Sequence, residues 1–343
     1  MITMEEIAAK AGLSRYTVSK ILNGNTTVRK ANRDKVMQLC EQYGFVPNFS
    51  AVTLVSGHSN VIAMMVPYIT DGFYSELIQL AEQYAASRGY SMTYLSSYND
   101  HETEAKAIRS FIGLKVAALL AVPVVKNPNL QLHRLAASNF PVVYIDRTIS
   151  DENSSVLNDN LTSGRIMTDH LFEQTDEVAF IDSFYGDDNQ TAVDRRQGYL
   201  NSVAVHGQKA FFIPNDKSLE KQDNERFGYE NFSAYLKSCQ RPPKALFCVT
   251  DTVALGAMRA LRDAGFIPGV DTLVGGHDNL LFTEYTNPPL SSMAQPKKLM
   301  AEAAVDIAIK RIKNPKLPSE KSVFNSELIV RASTFAGAKI KRD

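Results

Sequence analysis

Polar and aromatic residues gather at the ends of short apolar runs in this sequence. Asp71, Phe73 and Tyr74 follow VIAMMVPYI, Asp146 and Arg147 end PVVYIDR, and Thr250 and Asp251 end ALFCVTD. His277, Asp278 and Asn279 follow LVGG, Gln295 ends SSMAQ, and Arg195 and Arg196 stand just before Gly198. Each has a plain structural role open to it as a loop cap, a surface ion pair or a helix start. Together they supply carboxylates, guanidinium groups and an amide around aromatic faces. Such a set grips a polyol through hydrogen bonds and CH–π packing. Arg147, Arg195 and Arg196 lean the expected ligand toward an anion, such as a sugar phosphate or a sugar acid.

A second set lies near the N-terminus. With Val18, Ile21 and Leu22 facing inward at three-to-four-residue spacing, Arg15, Tyr16, Ser19 and Lys20 form the opposite face of a helix. A cation that can fork onto guanine, an aromatic hydroxyl and a second cation suit the edges of bases in the DNA major groove. The plain alternative is an amphipathic hairpin with a solvated charged face.

The elements that must position both sets follow from pattern. Thr3 with Glu6 is a capping-box signature for a short helix through Ile7, Ala8 and Ala11 that stops at Gly12. Ser14 caps a second helix, and a third runs from about Lys30 to Tyr43, ends at Gly44 and turns Val36, Leu39 and Cys40 inward. Small Ala8, Gly12 four later, Val18 six later and Ile21 three later form the spacing of a helix-turn-helix. From Asn60 onward, apolar runs alternate with helical patterns: VIAMMVPYI, YSMTYLSS, VAALLAVPVV, PVVYID, SSVLND, EVAFIDS, KAFFIP, ALFCVT, TLVGG and LSSMAQ. That alternation predicts parallel sheets covered by helices on both faces, with ligands at the carboxyl ends of the strands.

Composition narrows the classes. The chain has 343 residues, enough for two or three domains, and 37 bases balance 37 acids. Residues 1–59 hold Lys10, Arg15, Lys20, Arg29, Lys30, Arg33 and Lys35 against Glu5, Glu6, Asp34 and Glu41, so the excess of cations sits at one end. A basic segment on a mildly acidic body is expected where only that end meets a polyanion. Cys40, Cys239 and Cys248 have neither metal-ligand spacing nor the density of a disulfide framework, so buried reduced thiols and no metal are expected. The start, MITMEEIAAK, does not read as a secretion signal, and no apolar stretch approaches the roughly 20 residues of a spanning helix. A cytoplasmic protein away from membranes is expected.

The segments EEIAAKAGLSRYTVSKILNGN, VRKANRDKV and YGFVPN are very similar to the headpiece of the LacI/GalR repressor family, and the likeness continues to the last strand. The resemblance implies an α/β protein. A small all-α helix-turn-helix headpiece (1–46) and a hinge (47–59) precede a two-lobe, periplasmic-binding-protein-like type I domain (60–343). Its first lobe would take about 60–160 and 291–320, and its second about 161–290 and 321–343. The resemblance also implies a DNA-contacting set of Ser14, Arg15, Tyr16, Ser19, Lys20, Asn23, Arg29, Asn48, Ala51 and Leu54. Leu54, in Ala51-Val52-Thr53-Leu54, would be a minor-groove wedge. Val52 stands where a base is common, and Pro47 to Asn60 contains no Lys or Arg.

In the body, the likeness puts Phe73 and Tyr74 on an aromatic pair that sandwiches a sugar ring. It puts Asp146, Arg147, Arg195, Asp278 and Gln295 on ligand contacts, with Asp71 and Thr250 beside them. Thr250 replaces a frequent asparagine, and LVGGHDN departs from the commoner loop, so the ligand cannot be copied from the best-known members. The implied protein is a homodimer that binds palindromic operator DNA under the control of a small sugar-like effector. No cofactor is implied, and the chain lacks a leucine heptad at its end for tetramers. A sugar transport receptor is the alternative for the body alone. An α/β enzyme is disfavoured because H-E-x-x-H, G-x-S-x-G, Walker and G-x-G-x-x-G patterns are missing, and His277 beside Asp278, the one acid–base pair that tempts, is expected to shape the ligand loop.

Overall fold

The computed structural model describes residues 2–22, 27–45, 59–124, 129–184, 186–215, 223–239 and 241–335. Two units result, Met1–Ser59 and Asn60–Asp343. In the first, Thr3 and Glu6 exchange hydrogen bonds in a capping box that opens α1 (Met4–Ala11). Gly12 then closes that helix at φ 68°, a left-handed conformation that glycine adopts without steric cost. The Ser14 side chain accepts from the Thr17 amide at 3.1 Å and starts α2 (Arg15–Leu22). α3 (Lys30–Tyr43) ends in the same way at Gly44. Ile7, Ala8, Ala11, Val18, Ile21, Val36 and Cys40 bury together, while Leu22 and Leu39 pack against them partly exposed.

The second unit holds two six-stranded sheets. The first is built from β1 (Val61–Val66), α4 (Gly72–Ser87), β2 (Ser91–Ser96), α5 (His101–Gly113), β3 (Ala118–Ala121), α6 (Leu130–Ala137), β4 (Val142–Ile145) and β5 (Ser154–Asn158). The second is built from α7 (Asn160–Phe172), β6 (Val178–Ile181), α8 (Gln190–Val205), β7 (Phe211–Phe212), α9 (Asn224–Ser238), β8 (Ala245–Cys248), α10 (Asp251–Asp263), β9 (Leu273–His277) and β10 (Ser291–Ala294). The chain then returns through α11 (Lys297–Lys313) and β11 (Lys321–Phe324) and ends in β12 (Glu327–Ile329). Strand order is β2-β1-β3-β4-β5-β11 in one sheet and β7-β6-β8-β9-β10-β12 in the other. All pairings are parallel except β10 with β12. The central strands are buried from end to end, as parallel strands covered on both faces require.

The lobe boundaries differ from those expected. β10 pairs with β9, so 291–294 belongs to the second lobe, and β11 pairs with β5, so 321–324 belongs to the first. The buried face of α11, including Met300, Ala304 and Ala308, packs with β1, β3 and β5 residues in the first lobe. The chain therefore crosses between lobes at 158–160, 295–296 and 325–326. β11 is a half-exposed edge strand, KSVF, and carries too little apolar signal to be read as part of a sheet.

α7 and α8 cross unusually closely, and glycine makes this possible. A Cβ on Gly164 would lie 2.3 Å from the Arg195 carbonyl oxygen, and one on Gly198 would lie 2.2 Å from that of Leu161. The crossing sets the height of Arg195 above the sheet. Cys40 and Cys248 are buried free thiols, whereas Cys239 is only partly buried, contrary to expectation. Among the described residues, no helix is long and apolar enough to cross a membrane.

Gly198→Ala is expected to destabilise the second unit by about 1–3 kcal/mol, the usual cost of overpacking. Gly113→Ala, a helical position with open space around it, should stabilise by roughly 0.4–1 kcal/mol. Denaturant unfolding of both variants checks this. Equal effects would contradict the close crossing.

Candidate functional site

A cavity of about 590 Å³ opens between the two sheets at the carboxyl ends of their strands. Asp71, Phe73, Tyr74, Asp146, Arg147, Arg195, Thr250, Asp278 and Gln295 all line it. Asp251, Arg196, His277 and Asn279 do not. Asp251 is buried beneath it, accepting from the Ser292 hydroxyl at 2.6 Å and the Leu280 amide at 2.8 Å. Arg196 turns away to Asp182 and Asp187, at 2.7 and 2.9 Å.

Arg195 is committed to the protein. Its Nε donates to Asn160 Oδ1 (2.9 Å), one terminal nitrogen to the Val249 carbonyl (2.9 Å) and the other to Asp278 Oδ1 (3.2 Å). Gln295 Nε2 donates to the same Asp278 oxygen at 2.8 Å. Asp278 sits at φ 110°, and Arg195, Asp278 and Gln295 are all at least nine-tenths buried. Burial alone would raise the Asp278 pKa. The Arg195 guanidinium and the hydrogen bonds from His277 and Gln295 outweigh it and hold the carboxyl below its ordinary value.

His277 donates through Nδ1 to Asp278 Oδ1 at 3.1 Å, which leaves Nε2 to accept from the Ser163 hydroxyl at 2.9 Å. Burial, with Arg195 nearby, lowers the His277 pKa to about 4, so the ring is neutral near pH 7. Serine, histidine and aspartate in this order have the geometry of a hydrolytic relay. Here Ser163 is 1% exposed and does not line the cavity, so no substrate carbonyl reaches it. The relay orients Asp278.

On the first lobe, the Tyr74 hydroxyl donates to Asp146 at 2.9 Å and accepts from Arg147 at 3.2 Å. Phe73 and Tyr74 stand edge to face with centroids 5.2 Å apart. No sugar ring fits between rings so placed, which corrects the expected sandwich: only an edge or a face of the pair remains for a ligand. Asp71 caps α4 through the Phe73 amide at 2.9 Å. Burial first, then the charges of Asp278 and Asp146, raise its pKa to about 6.

Sequence reasoning missed the flank formed by Tyr68, Tyr98 and Asn99, and the contribution of Asn189 and Thr191. Asn189 caps α8, and its type read as no more than that. Asn160 is likewise hidden in a helix start, yet it receives Arg195.

In the first unit, Ser14, Arg15, Tyr16 and Arg29 are exposed, and Ser19 and Lys20 are half-buried. Arg15 Nε meets Glu5 at 3.0 Å, and the Lys20 ammonium lies 4.7 Å from the centre of the Tyr16 ring. Ser14 spends its hydroxyl oxygen on the helix cap. Asn23, Asn48, Ala51 and Leu54 lie outside the described residues.

A helix-turn-helix unit with a cationic outer face, in one chain with a two-lobe cavity domain, defines a ligand-responsive transcriptional regulator. Residues 3–48 match the model of bacterial regulatory proteins, lacI family, and residues 169–334 match a periplasmic binding protein-like domain. The chain belongs to the LacI family of bacterial regulatory proteins. It is 26% identical over 339 residues to the probable HTH-type transcriptional repressor ExuR of Bacillus subtilis (strain 168), covering 97% of this chain and 98% of that one. It is 28% identical over 336 residues to the HTH-type transcriptional regulator GalR of Escherichia coli (strain K12), covering 97% and 96%. The fold matches that of the lac repressor dimer bound to operator and the anti-inducer ONPF, with a TM-score of 0.82 at 21% identity and coverage of 98% and 99%. A complex of the transcriptional regulator CelR with cellobiose matches at a TM-score of 0.70 and 24% identity, covering 97% and 100%.

A carboxyl whose folded pKa is raised to about 6 contributes stability below its unfolded value and loses it as pH rises through 6. Asp71→Asn keeps the helix cap and cannot ionise. The variant should match wild type near pH 4 and exceed it by up to about 3 kcal/mol above pH 7. Urea unfolding across pH 4–8 reads the difference, and a pH-independent gap would contradict the burial of this charge.

Proposed function

We propose that the protein is a cytoplasmic homodimeric repressor whose two headpieces bind a palindromic operator, with affinity set by a small sugar-like effector in the interlobe cavity. One headpiece covers a half-site, so a two-fold dimer matches a two-fold DNA site. The operator of the lac repressor complex and the cellobiose of the CelR complex support extending both partners to this chain. The observation that carries the reading is the coexistence of the Arg15, Tyr16, Ser19 and Lys20 face with a cavity whose polar lining converges on Asp278.

Arg15, Tyr16, Ser19 and Lys20 would read bases, with Ser14, Asn23, Arg29 and Asn48 placed on the backbone. Ala51 would let Leu54 approach the minor groove. The ion pair with Glu5 and the stacking of Lys20 on Tyr16 must open or share when DNA binds. With no cation from Pro47 to Asn60, the helices carry the phosphate attraction. In the cavity, Asp71, Asp146, Arg147, Thr250, Asp278 and Gln295 would hold hydroxyls, Arg195 would hold Asp278, and Phe73 and Tyr74 would close the apolar side. The effector acts by binding two lobe arrangements with different affinities.

Lys20→Ala is expected to weaken binding to operator DNA more than binding to random DNA, the loss of one base contact. Arg15→Ala should cost roughly 1–3 kcal/mol and relax discrimination at one base pair. Gel shifts and anisotropy titrations on selected DNA check both. Unchanged affinity in both variants would contradict the assignment of α2.

A further inference from the structure

The charges around the cavity do not balance. Six lining carboxylates, Asp71, Asp100, Asp146, Asp223, Glu225 and Asp278, face two lining cations, Arg147 and Arg195. Each of the two arginines already has a carboxylate beside it. Arg195 gives its donors to Asn160, Val249 and Asp278, and Arg147 stands 3.8 Å from Asp146 and donates to Tyr74. Asp71 has no cationic partner among the described residues, and its strongest charged neighbours, Asp278 and Asp146, are negative.

The hydrogen-bonding inventory has the same bias. Gln295, 4% exposed, leaves its Oε1 without a donor. All protein bonds to Asp278 arrive at Oδ1, so Oδ2 is free to accept. Against these acceptors stands one buried donor without a partner, the Nε of Arg147. Burying a polar atom without a partner is costly, so a ligand that fills this cavity must bring donors. An ammonium group brings three and no acceptor, with the charge that Asp71 lacks. A phosphate or carboxylate would bring acceptors and negative charge into a negative cavity.

Resting on the proposed effector role of this cavity, we infer that its ligand is a polyhydroxylated compound with a protonated amine, an amino sugar or amino-polyol, seated with the amine against Asp71. This reverses the lean toward an anion that the three arginines give in the sequence. Arg196 is outside the cavity, and the other two arrive with their counter-ions.

The test is a calorimetric and thermal-shift comparison on the full-length protein with matched sets. Glucose, glucosamine, glucuronate and glucose 6-phosphate form one, and the galactose and mannose counterparts form two more. The expected result is that an amine member binds at least tenfold more tightly at pH 7.5 than its neutral parent, and that acid and phosphate members do not bind. Asp71→Asn should remove that tenfold preference, so that the amine member and its neutral parent bind the variant within threefold of each other. The charged and titratable neighbours of Asp71 are Asp278, Asp146 and Tyr74, and Asp71 is the one placed to titrate near pH 6. Amine binding should therefore weaken at least fivefold between pH 7.5 and pH 5. Binding of an acid or phosphate member, equal affinity for the amine and its parent, or an amine preference that survives Asp71→Asn would each overturn the inference. If no member of any set binds wild type, the effector reading itself fails, and the inference falls with it.

Discussion

The buried Arg195–Asp278 pair is the contact on which the rest of the cavity domain depends. Two opposite charges 3.2 Å apart, each at least nine-tenths buried, cost desolvation energy that their attraction repays only with further hydrogen bonds. Those bonds are present, and they lead to every strand that joins the lobes. Arg195 Nε reaches Asn160 Oδ1, which also accepts from Asn158, and Asn158 Oδ1 accepts from Ser326 at 2.8 Å. Asp278 accepts from Gln295. Residues 158–160, 295 and 326 stand at the three crossovers. One ion pair thus ties the cavity-facing carboxylate to all three chain segments that join the lobes. Removing either partner leaves an uncompensated charge, at a cost of about 3–5 kcal/mol.

The helix packing beneath this pair has a related origin. Gly164 and Gly198 bring α7 and α8 into near backbone contact, and the Arg195 carbonyl forms part of that contact. The arginine is fixed from below by packing and from above by Asp278. His277, neutral and held between Ser163 and Asp278, removes another freedom from the carboxylate. A carboxylate fixed in this way offers Oδ2 to a ligand without reorganising, which is what preorganised recognition requires.

Much of this was legible in the sequence, and the unread parts have physical reasons. Capping residues, glycine stops and inward apolar positions marked α1 to α3, because short helices depend on local signals. Buried parallel strands announced themselves as apolar runs, and the residues at their ends converge on one cavity because a parallel sheet points its carboxyl ends one way. β11 and β12 were not legible: they are short, lie at the edges and are half exposed, so the last crossover was placed too early, near 320 instead of 325–326. Partnerships were also invisible. Counting arginines suggested an anion, whereas Arg195, Arg147 and Arg196 each face an aspartate in the folded chain. The aromatic pair was identified by type, but its 70° interplanar angle is a property of packing.

A regulator of this design needs a ligand that distinguishes two lobe arrangements, and the hydrogen-bond chain that runs from Asp278 through Gln295 and Arg195 to the crossovers links the cavity to that difference. The most direct measurement is the affinity of the full-length protein for operator DNA selected from a random library, with and without a saturating concentration of the sugar that most stabilises the protein. The expected change is roughly 5- to 150-fold, a coupling of about 1–3 kcal/mol. Stoichiometric binding of that sugar with no change in DNA affinity would contradict it.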